Sequence, residues 1–398
     1  MYTNLDAGTT MSLKAIISGG GIGGLATAAA LAQRGWDVTV YESNPGLRVT
    51  GSGIYLWSNG LGVLKELDAY DRALRDPFWP TGVENRNEHN EMLLPAGLPP
   101  GLEILCVGRS DLLAGLEEAA ARSGVKVVTS AQVVGARADG TLVFANGDRV
   151  KADLAIGCDG ASSPVRRSLG LETLRMRSPE GALRTIVKAR QDELPPQDRG
   201  RCFENWNGTR RLLVTPINDR EIYLAMTCLE SDTAARDTRI NPCWKASFPY
   251  WGFLIDRIDG DVLWNVYSIV KCESWSAGRA CILGDAAHAQ PPNFGQGGGM
   301  AMQNGLALAA YMAAVSDPRD IPEALSAWEA AVRPVTDNCQ YWSCMWGELV
   351  NLPNEVRGAA MRAMATNPWL GGQMFAPAAF RPLASVDWVP AGAALACA

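Results

Sequence analysis

The stretch LKAIISGGGIGGLATAAALAQRGWDVTVYES, residues 13–43, contains an apolar run, a glycine-rich turn, an alanine-rich segment and a second apolar run. This order predicts a strand, a helix and a second strand. Gly19, Gly21 and Gly24 have the G-x-G-x-x-G spacing of a dinucleotide-binding turn, and Gly23 lies in the same turn. The first glycine permits a tight turn, the second lets a pyrophosphate approach the backbone, and the third lets helix and strand pack closely.

The second apolar run ends in an acidic residue, Glu42. It lies close to the distance of about 20 residues at which such a fold places the acid that binds a ribose hydroxyl. A carboxylate there repels a 2′-phosphate, so the ligand predicted at this fold is FAD or NAD rather than NADP. The helix N-terminus would direct its N–H groups at a phosphate. The alternative is a glycine-rich turn that binds no ligand.

The composition is that of an ordinary globular enzyme and argues against several other classes. The 398 residues are 47% hydrophobic and 20% charged, with a net charge of −6. Because no clustered basic run occurs, nucleic acid is not an expected partner. No apolar stretch approaches the roughly 20 residues that span a bilayer. Residues 1–12 lack a secretion-signal pattern and are expected to be a disordered lead-in, so we expect a cytoplasmic protein without a membrane partner.

Metal chemistry is not expected either. The ten cysteines are scattered without a C-x-x-C pair, and the only histidines are His89 and His288. Without clusters of such residues a zinc site has little support, and the cysteines are expected to be reduced packing residues. We expect His288 to be structural rather than a catalytic base, and His89 to lie in a solvated polar loop.

The middle of the chain has the short, alternating pattern of strands. Residues 125–151 predict four short strands, with a hairpin turn at Asn146 and Gly147. Residues 177–275 predict the strands of a mostly antiparallel sheet. This region therefore interrupts the α/β pattern and is expected to be a second domain.

The remainder of the chain, beyond about Gly297, is expected to be helical. We expect proline to break this helical region at Pro318, Pro322 and Pro334. The last dozen residues, 387–398, are expected to be frayed.

Two later strands end in an aspartate next to a glycine. ADLAIGCDG ends at Asp159 and Gly160, and GRACILGD ends at Gly284 and Asp285. Only one G-x-G-x-x-G occurs in the chain. The pattern therefore indicates one dinucleotide contacted by three separated segments, rather than two independent nucleotide domains.

Three motifs together resemble those of the single-component (class A) FAD-dependent aromatic monooxygenases, the para-hydroxybenzoate hydroxylase and salicylate hydroxylase type. They are GGGIGG with Glu42, CDG at residues 158–160, and GDAAHAQPPNFGQG at residues 284–297. The segments GSGIYLWSNGLGVL and WEAAVRPVTDNCQ are similar to the 2-methyl-3-hydroxypyridine-5-carboxylate oxygenase branch of that family. The resemblance extends from Leu13 to about Ser343.

The resemblance implies an α/β fold with a Rossmann-like FAD-binding domain of the GR2 type. A mostly antiparallel β-sheet domain for the substrate is inserted in it, and a helical region follows. The expected boundaries are residues 12–77, 101–176 and 276–330 for the FAD-binding domain, residues 78–100 and 177–275 for the substrate domain, and residues 331–398 for the C-terminal helical region.

The family pattern assigns cofactor roles to residues outside the first turn. Glu42 would bind the adenosine ribose, Arg109 would lie near the FAD phosphates, and Asp285 would hold a ribityl hydroxyl. Asp159 is associated with cofactor contact and with the use of NADH or NADPH. Pro292 would lie beside the flavin C4a atom. The pyrimidine edge would rest on Gly297, Gly298 and Gly299, and the helix after them would stabilise negative charge at the flavin.

The residues expected to face the substrate are Arg184, Arg211, Tyr223 and Tyr267, and with Pro292 the last three are the candidate catalytic residues. Arg211 would bind a substrate carboxylate or ring oxyanion through its planar fork; the alternative is a surface arginine on an exposed strand face. The tyrosines would hydrogen-bond a phenolic oxygen, or are merely half-buried strand residues. For Arg184 the alternative is again a surface position, and it is the interpretation that the sequence favours.

The activity that the resemblance implies is ring hydroxylation with NADH or NADPH and O₂, through a flavin C4a-hydroperoxide, by a monomer or homodimer. The substrate would be a small aromatic acid or phenol, foremost a hydroxypyridine carboxylate, with ring opening as a possible outcome. Gly82 departs from the branch, which has an aromatic residue there. The alternatives are a decarboxylating or nitro-displacing hydroxylase, a flavoprotein oxidase or reductase, a halogenase relative, and a flavin-free NAD-binding protein.

Overall fold

A computed structural model describes residues 12–47, 52–95, 97–237, 241–259, 262 and 264–390. The expected lead-in lies outside the described residues except for Ser12. Of the expected frayed tail, only residues 387–390 are described, and they form neither helix nor strand.

Eighteen strands are present in the described part of the chain. They are β1 Lys14–Ser18, β2 Asp37–Tyr41, β3 Gly53–Trp57, β4 Val83–Asn87, β5 Met92–Leu94, β6 Ile104–Gly108, β7 Lys126–Val128, β8 Val133–Arg137, β9 Thr141–Phe144, β10 Arg149–Lys151, β11 Leu154–Gly157, β12 Glu172–Lys188, β13 Cys202–Asn207, β14 Arg210–Pro216, β15 Glu221–Leu229, β16 Trp264–Cys272, β17 Ser276–Ala277 and β18 Ala280–Ile282.

The same residues contain α-helices and short 3₁₀ segments. The helices are α1 Ile22–Ala32, α2 Ser58–Glu66, α3 Tyr70–Ala73, α4 Arg109–Arg122, α5 Pro164–Ser168, α6 Thr233–Arg236, α7 Asn241–Ser247, α8 Gly252–Ile255, α9 Asp285–His288, α10 Gly297–Met312, α11 Ile321–Gly347, α12 Asn354–Ala365 and α13 Pro368–Ala379. The 3₁₀ segments are Gln191–Glu193, Pro196–Asp198, Pro249–Trp251, Pro318–Asp320 and Glu348–Asn351.

The first sheet has six strands in the order β17-β18-β11-β1-β2-β7. All pairs are parallel except β17 with β18. Because β1, β11 and β18 are parallel neighbours, the motifs that follow them meet at one edge of the sheet. This arrangement confirms the predicted strand, helix and strand at residues 13–43.

The second sheet has seven strands in the order β16-β12-β15-β14-β13-β4-β5. Only β13 and β4 pair in parallel; the other pairs are antiparallel. The predicted mostly antiparallel sheet is therefore confirmed. The strand β12 runs continuously through the boundary expected at residue 176, so the division into domains stays a prediction.

The short strands of residues 125–151 are divided between two sheets. β8, β9 and β10 form a separate antiparallel sheet, with Gly147 at φ 91° in the predicted hairpin turn. β7 instead pairs with β2 and extends the six-stranded sheet. The remaining pair, β3 with β6, forms a two-stranded sheet.

The core lies between the six-stranded sheet and the helices packed on it. Leu25, Ala28 and Leu31 of α1 are fully buried there. The helix α10 packs so closely on α1 that a Cβ on Gly305 would lie 2.2 Å from Thr27 Oγ1. None of the described helices combines the length and apolar character that a membrane span requires.

The expected break at Pro334 is wrong, because Pro334 lies inside the continuous helix α11. Its missing N–H removes one helical hydrogen bond, but Trp328, Val332 and Thr336 on the same helix are fully buried. Tertiary packing of such a face supplies most of the stability of a helix in a protein. Pro318 and Pro322 instead lie in the first turn of a 3₁₀ segment and of α11, where proline is tolerated.

Candidate active site

A cavity of about 870 Å³ runs from the first turn of α1 to the second sheet and onward to α12 and α13. Most of the predicted site residues line it. They are Gly21, Gly23, Arg109, Arg184, Arg211, Tyr223, Tyr267, Asp285, Pro292, Gly297 and Gly298. The sequence-distant motifs thus meet around one space.

The glycine turn at one end of the cavity has the geometry predicted for it. Gly19 has φ 103°, and a Cβ on Gly24 would lie 2.0 Å from the carbonyl oxygen of Gly19. A Cβ on Gly21 would meet no atom within 4 Å, so the backbone of Gly21 is open to a ligand. No side chain caps α1 at Gly21. Its first N–H groups therefore suit a phosphate.

An acid that faces the cavity, Asp285, and a second helix terminus lie next along it. Asp285 faces the cavity and is otherwise surrounded by protein; this desolvation raises the pKa of its carboxyl, which the charge of Arg109 opposes. Gly297 and Gly298 line the cavity as the first residues of α10, which begins three residues earlier than the start predicted after Gly299. No side chain caps α10. Its positive end therefore suits developing negative charge.

Glu42, Asp159, Gly19, Gly24 and Gly299 do not line this cavity. The Glu42 carboxylate accepts hydrogen bonds from the backbone N–H groups of Gly20 and Asn44, both at 2.9 Å. Burial would raise the pKa of Glu42, but these hydrogen bonds outweigh it and lower the pKa. Its role at the ribose stays a prediction.

Asp159 is held by the chain that follows it. Its Oδ2 accepts a hydrogen bond from Val165 N at 3.2 Å, at the start of α5. Its Oδ1 is buried without a hydrogen-bond partner among the described residues. Burial raises the pKa of this carboxyl. The expected contact with a cofactor stays a prediction.

Three of the predicted substrate residues, Arg184, Tyr223 and Tyr267, lie on the second sheet and line the cavity. The guanidinium of Arg184 lies 5.5 Å from the ring centroid of Tyr267, and both tyrosines raise the pKa of Arg184 against its burial. Burial raises the pKa of Tyr223 to about 12, against the charge of Arg184. The Tyr223 hydroxyl thus stays protonated and can donate a hydrogen bond. Arg184 is half-buried and faces the cavity, so the alternative of a surface position is wrong.

Arg211 is 2% exposed, so the alternative of a surface arginine is wrong. Its Nη2 donates to both oxygens of Glu180 at 3.1 Å. Its Nη1 donates to Asn293 Oδ1 at 2.8 Å and to Glu204 Oε1 at 3.3 Å. Its Nε is buried without a hydrogen-bond partner among the described residues. The predicted binding of a substrate carboxylate would have to compete with two protein carboxylates.

Beyond the second sheet the cavity continues into a space that we call the apolar extension. Its wall consists of Leu94, Leu98, Met364, Met374 and Phe375. A second cavity of about 500 Å³ adjoins it. The residues common to both cavities are Gly97, Leu98, Pro368, Gly371 and Phe375. The apolar extension therefore leads towards the protein surface beside α13.

The two histidines behave as the sequence predicted. His288 is 3% exposed, and its Nε2 accepts a hydrogen bond from the Asn304 side-chain amide at 3.2 Å. Burial lowers its pKa to about 4, so the ring is neutral. Its ring packs against Trp275, with centroids 5.4 Å apart. His89 lies in the exposed turn after β4. Among the described residues, no cluster of histidine, cysteine and acidic side chains suits a metal ion.

Sequence reasoning missed several residues of the cavity. Glu204 lies on β13 with its side chain 16% exposed and directed at the cavity, and no sequence motif marks it. Asn293 directly follows Pro292, and its position in the third motif could have indicated it. The residues of the apolar extension come from elements separated by about 270 positions, and no local pattern connects them.

The residues present fit FAD. The open backbone at Gly21 and the uncapped N-terminus of α1 suit its pyrophosphate, and Asp285 suits a sugar hydroxyl. Gly297 and Gly298 leave room for main chain to approach a flat ring. The second sheet lines the same cavity, which leaves space for a substrate beside the ring.

The FAD binding domain family model matches residues 12–342 of the chain. A probable 2-heptyl-3-hydroxy-4(1H)-quinolone synthase of Rhodococcus erythropolis is 39% identical over 353 residues, which cover 87% of this chain and 91% of that protein. A 2-heptyl-3-hydroxy-4(1H)-quinolone synthase of Mycobacteroides abscessus is 36% identical over 353 residues, which cover 87% and 93% respectively.

Among solved structures, the tetrameric form of 2-methyl-3-hydroxypyridine-5-carboxylic acid oxygenase has a TM-score of 0.84 at 32% identity. The similarity covers 96% of this chain and 100% of that chain. These matches confirm the resemblance drawn from the three motifs and the α/β fold that it implied. The chain therefore belongs to the FAD binding domain family and is a class A FAD-dependent monooxygenase of the aromatic hydroxylase kind, with FAD as its cofactor.

Proposed function

We propose that the chain hydroxylates a flat nitrogen-containing aromatic ring that carries an apolar side chain, of the 2-alkyl-4-quinolone type, with NADH or NADPH and O₂. The observation that carries the proposal is the continuity between the ring site at Arg184, Tyr223 and Tyr267 and the apolar extension. A ring in the first space would direct a substituent into the second. Two relatives that are 39% and 36% identical are named as synthases of a 2-heptyl quinolone, which supports this substrate class.

The charges beside the ring site favour a neutral substrate. Glu180 and Glu204 both contact Arg211, so these three side chains carry one net negative charge when the acids are ionised. A substrate carboxylate at Arg211 would approach two like charges in a desolvated space, which is costly. A 4-quinolone is neutral. It has a ring N–H donor and a carbonyl oxygen, so its binding needs no protein cation.

A second candidate is the hydroxypyridine carboxylate that the resemblance favoured. Arg184 supports it, because among the described residues no carboxylate forms an ion pair with this guanidinium. Arg184 is thus a cation that faces the cavity between two tyrosine donors. The 32% identity to 2-methyl-3-hydroxypyridine-5-carboxylic acid oxygenase also favours it. Ring opening would follow hydroxylation in this case.

The side chains of the cavity position the ring and exclude water. When bound, FAD would supply the redox chemistry, because it accepts electrons from NADH or NADPH and then activates O₂. Arg184, Tyr223 and Tyr267 would hydrogen-bond the oxygen substituent of the ring and hold the ring in one orientation. Pro292 would define the edge of the space opposite these donors. The positive end of α10 would stabilise negative charge at the flavin edge.

A panel of substrates tests the proposal. The purified FAD-containing protein is mixed with NADH or NADPH and either 2-alkyl-4-quinolones or hydroxypyridine carboxylates, and nucleotide oxidation and product mass are measured. We expect alkylquinolones to stimulate oxidation and to gain one oxygen atom. Stimulation by pyridine carboxylates alone would favour the second candidate. Peroxide formation without any oxygenated product would contradict both and support an oxidase.

Substituted phenols extend the panel to further kinds of hydroxylase. Loss of carbon dioxide or nitrite from such a phenol would identify a decarboxylating or nitro-displacing enzyme. The oligomeric state, predicted as monomer or homodimer, is measured by light scattering on the same preparation. The cytoplasmic location also stays a prediction.

A further inference from the structure

The strands β12, β13 and β14 place one arginine between two carboxylates at the wall of the ring site. Arg211 contacts Glu180 at 3.1 Å and Glu204 at 3.3 Å. The Arg211 guanidinium also lies 4.9 Å from the ring centroid of Trp206. Arg211 and Glu204 line the cavity, whereas Glu180 is 3% exposed and does not.

The second carboxylate leaves this cluster with an uncompensated charge. One acid neutralises one arginine, and a further buried carboxylate is costly unless it binds a proton or a donor. Burial raises the pKa of the Glu204 carboxyl, against the charge of Arg211. Glu204 is therefore a stronger base than an exposed glutamate.

The other charged groups around the cluster do not remove this excess. Glu348, in the 3₁₀ segment after α11, adds negative charge near Glu180. Arg357 of α12 adds positive charge near Arg211, but it donates its own hydrogen bonds mainly to backbone carbonyls. Tyr267 of β16 faces Arg211. Of the two acids in the described part of the chain that contact Arg211, Glu204 lines the cavity and Glu180 does not.

We propose that Glu204 accepts the hydrogen bond, and then the proton, of the N–H or O–H group of the ring substrate. This inference rests on the proposed function, because it needs a ring with such a donor. Arg211 would act as a positioning residue, because its Nη1 donates to both Glu204 and Asn293. Asn293 adjoins Pro292, so the cluster is tied to the segment that borders the flavin site.

The proton transfer balances without a further reactant. The ring N–H bond breaks, its electron pair stays on the ring, and the proton binds a Glu204 carboxylate oxygen. The conjugated ring carbon becomes more electron-rich and receives one oxygen atom from O₂ activated by reduced FAD. That carbon then loses its hydrogen as a proton to restore aromaticity, and Glu204 returns its proton to the ring nitrogen. The second oxygen atom leaves as water and takes up the proton lost from carbon, while NADH or NADPH supplies the two electrons. The substrate exchanges C–H for C–OH, and Glu204 is unchanged.

The test compares Glu204→Gln, Glu204→Asp and Glu180→Gln with the unmodified holoenzyme, using kcat against pH with a 2-alkyl-4-quinolone. Since the reaction needs ionised Glu204, kcat of the unmodified enzyme should fall as the pH drops through the pKa of Glu204. We call this fall of kcat towards low pH the acidic limb of the pH profile. E204Q should lack the acidic limb, and its kcat should be lower by about 100-fold or more, as for other general bases. E204D should retain the limb.

E180Q supplies the matched control, because Glu180 touches the same arginine but not the cavity. Removing its like charge should lower the pKa of Glu204 and shift the limb to lower pH. A structural role alone would not move the limb in this direction. FAD content and melting temperature are measured for each variant.

A substrate methylated on the ring nitrogen makes the test independent of variant folding. The unmodified enzyme should bind it and hydroxylate it at least about 100-fold more slowly. Equal rates for the methylated substrate, or an E204Q enzyme with an unchanged pH profile and a kcat within twofold, would overturn the inference. If no ring substrate stimulates the unmodified enzyme, the proposed function fails instead.

Discussion

A leucine at Gly371 should shorten the substrate chain that the enzyme accepts. Gly371 lies in α13 on the wall shared by the two cavities, and a Cβ added to it would meet no atom within 4 Å. The Cβ of a leucine therefore has room, and we expect the rest of its side chain to enter the apolar extension, which Gly371 lines. The helix itself should tolerate the change, because leucine has a higher helix propensity than glycine by about 0.8 kcal/mol.

The magnitude follows from the apolar surface that the substrate would lose. A leucine side chain occupies the length of about three methylene groups, each worth about 0.8 kcal/mol when buried. Gly371→Leu should therefore cost about 2.4 kcal/mol for a chain that fills the apolar extension, or roughly 60-fold in kcat/KM. A substrate with only a methyl group should be unaffected. In the unmodified enzyme, each added methylene should raise kcat/KM about fourfold until the space is full.

The assay is nucleotide oxidation coupled to product formation, across 2-alkyl-4-quinolones of increasing chain length. Gly372→Leu is the control: Gly372 is the next residue of α13, is equally open, and lines only the outer cavity. It should leave the chain-length profile of the unmodified enzyme in place. If G371L lowers kcat/KM equally for substrates with short and long alkyl chains, the apolar extension does not bind the alkyl chain. The same conclusion follows if G372L changes the chain-length profile as much as G371L does.

Two further predictions concern the stability of the fold. Gly305→Ala should lower the free energy of unfolding by about 1–3 kcal/mol through overpacking, because its Cβ would lie 2.2 Å from Thr27 Oγ1. Gly372→Ala is the control, because its Cβ would lie in open space and should not destabilise the fold. Equal urea midpoints for the two variants would contradict the prediction of overpacking at Gly305. Since the pKa of His288 is lowered to about 4 from 6.5, the unfolded chain binds its proton first as the pH falls. Stability should therefore decrease between pH 6.5 and 4, by up to about 3 kcal/mol. His288→Gln should flatten this dependence in urea titrations and His89→Gln should not.

The nucleotide-binding half of the fold follows from local sequence. Gly19 and Gly24 occupy a turn whose geometry depends on contacts a few residues apart, so their spacing predicts it. The strands before Asp159 and Asp285 are short, fully buried and bounded by glycine. Such patterns need no knowledge of distant residues. The prediction failed at Pro334, where distant packing outweighs a local preference.

The substrate half depends on contacts that no local pattern records. Alternation along β14 predicts that Arg210 and Arg211 point to opposite faces, but not which face is buried. In the structure Arg210 pairs with Asp232, and Arg211 is buried against Glu180 and Glu204 from two other strands. The net charge of the cavity wall around Arg211 therefore depends on side chains from three strands, β12, β13 and β14. The expected carboxylate-binding role of Arg211 was inferred without those two acids.

The motifs of this chain are sufficient to establish an FAD-dependent monooxygenase, because a cofactor common to a whole family is bound by backbone turns, helix termini and short segments with strict spacing. Under the proposed function, the preference for one ring over another would arise where β12, β13, β14, α12 and α13 meet. Those elements are brought together by burial of apolar surface, which acts without regard to sequence distance. The charge of the ring site and the length of the apolar extension are therefore properties of the folded chain.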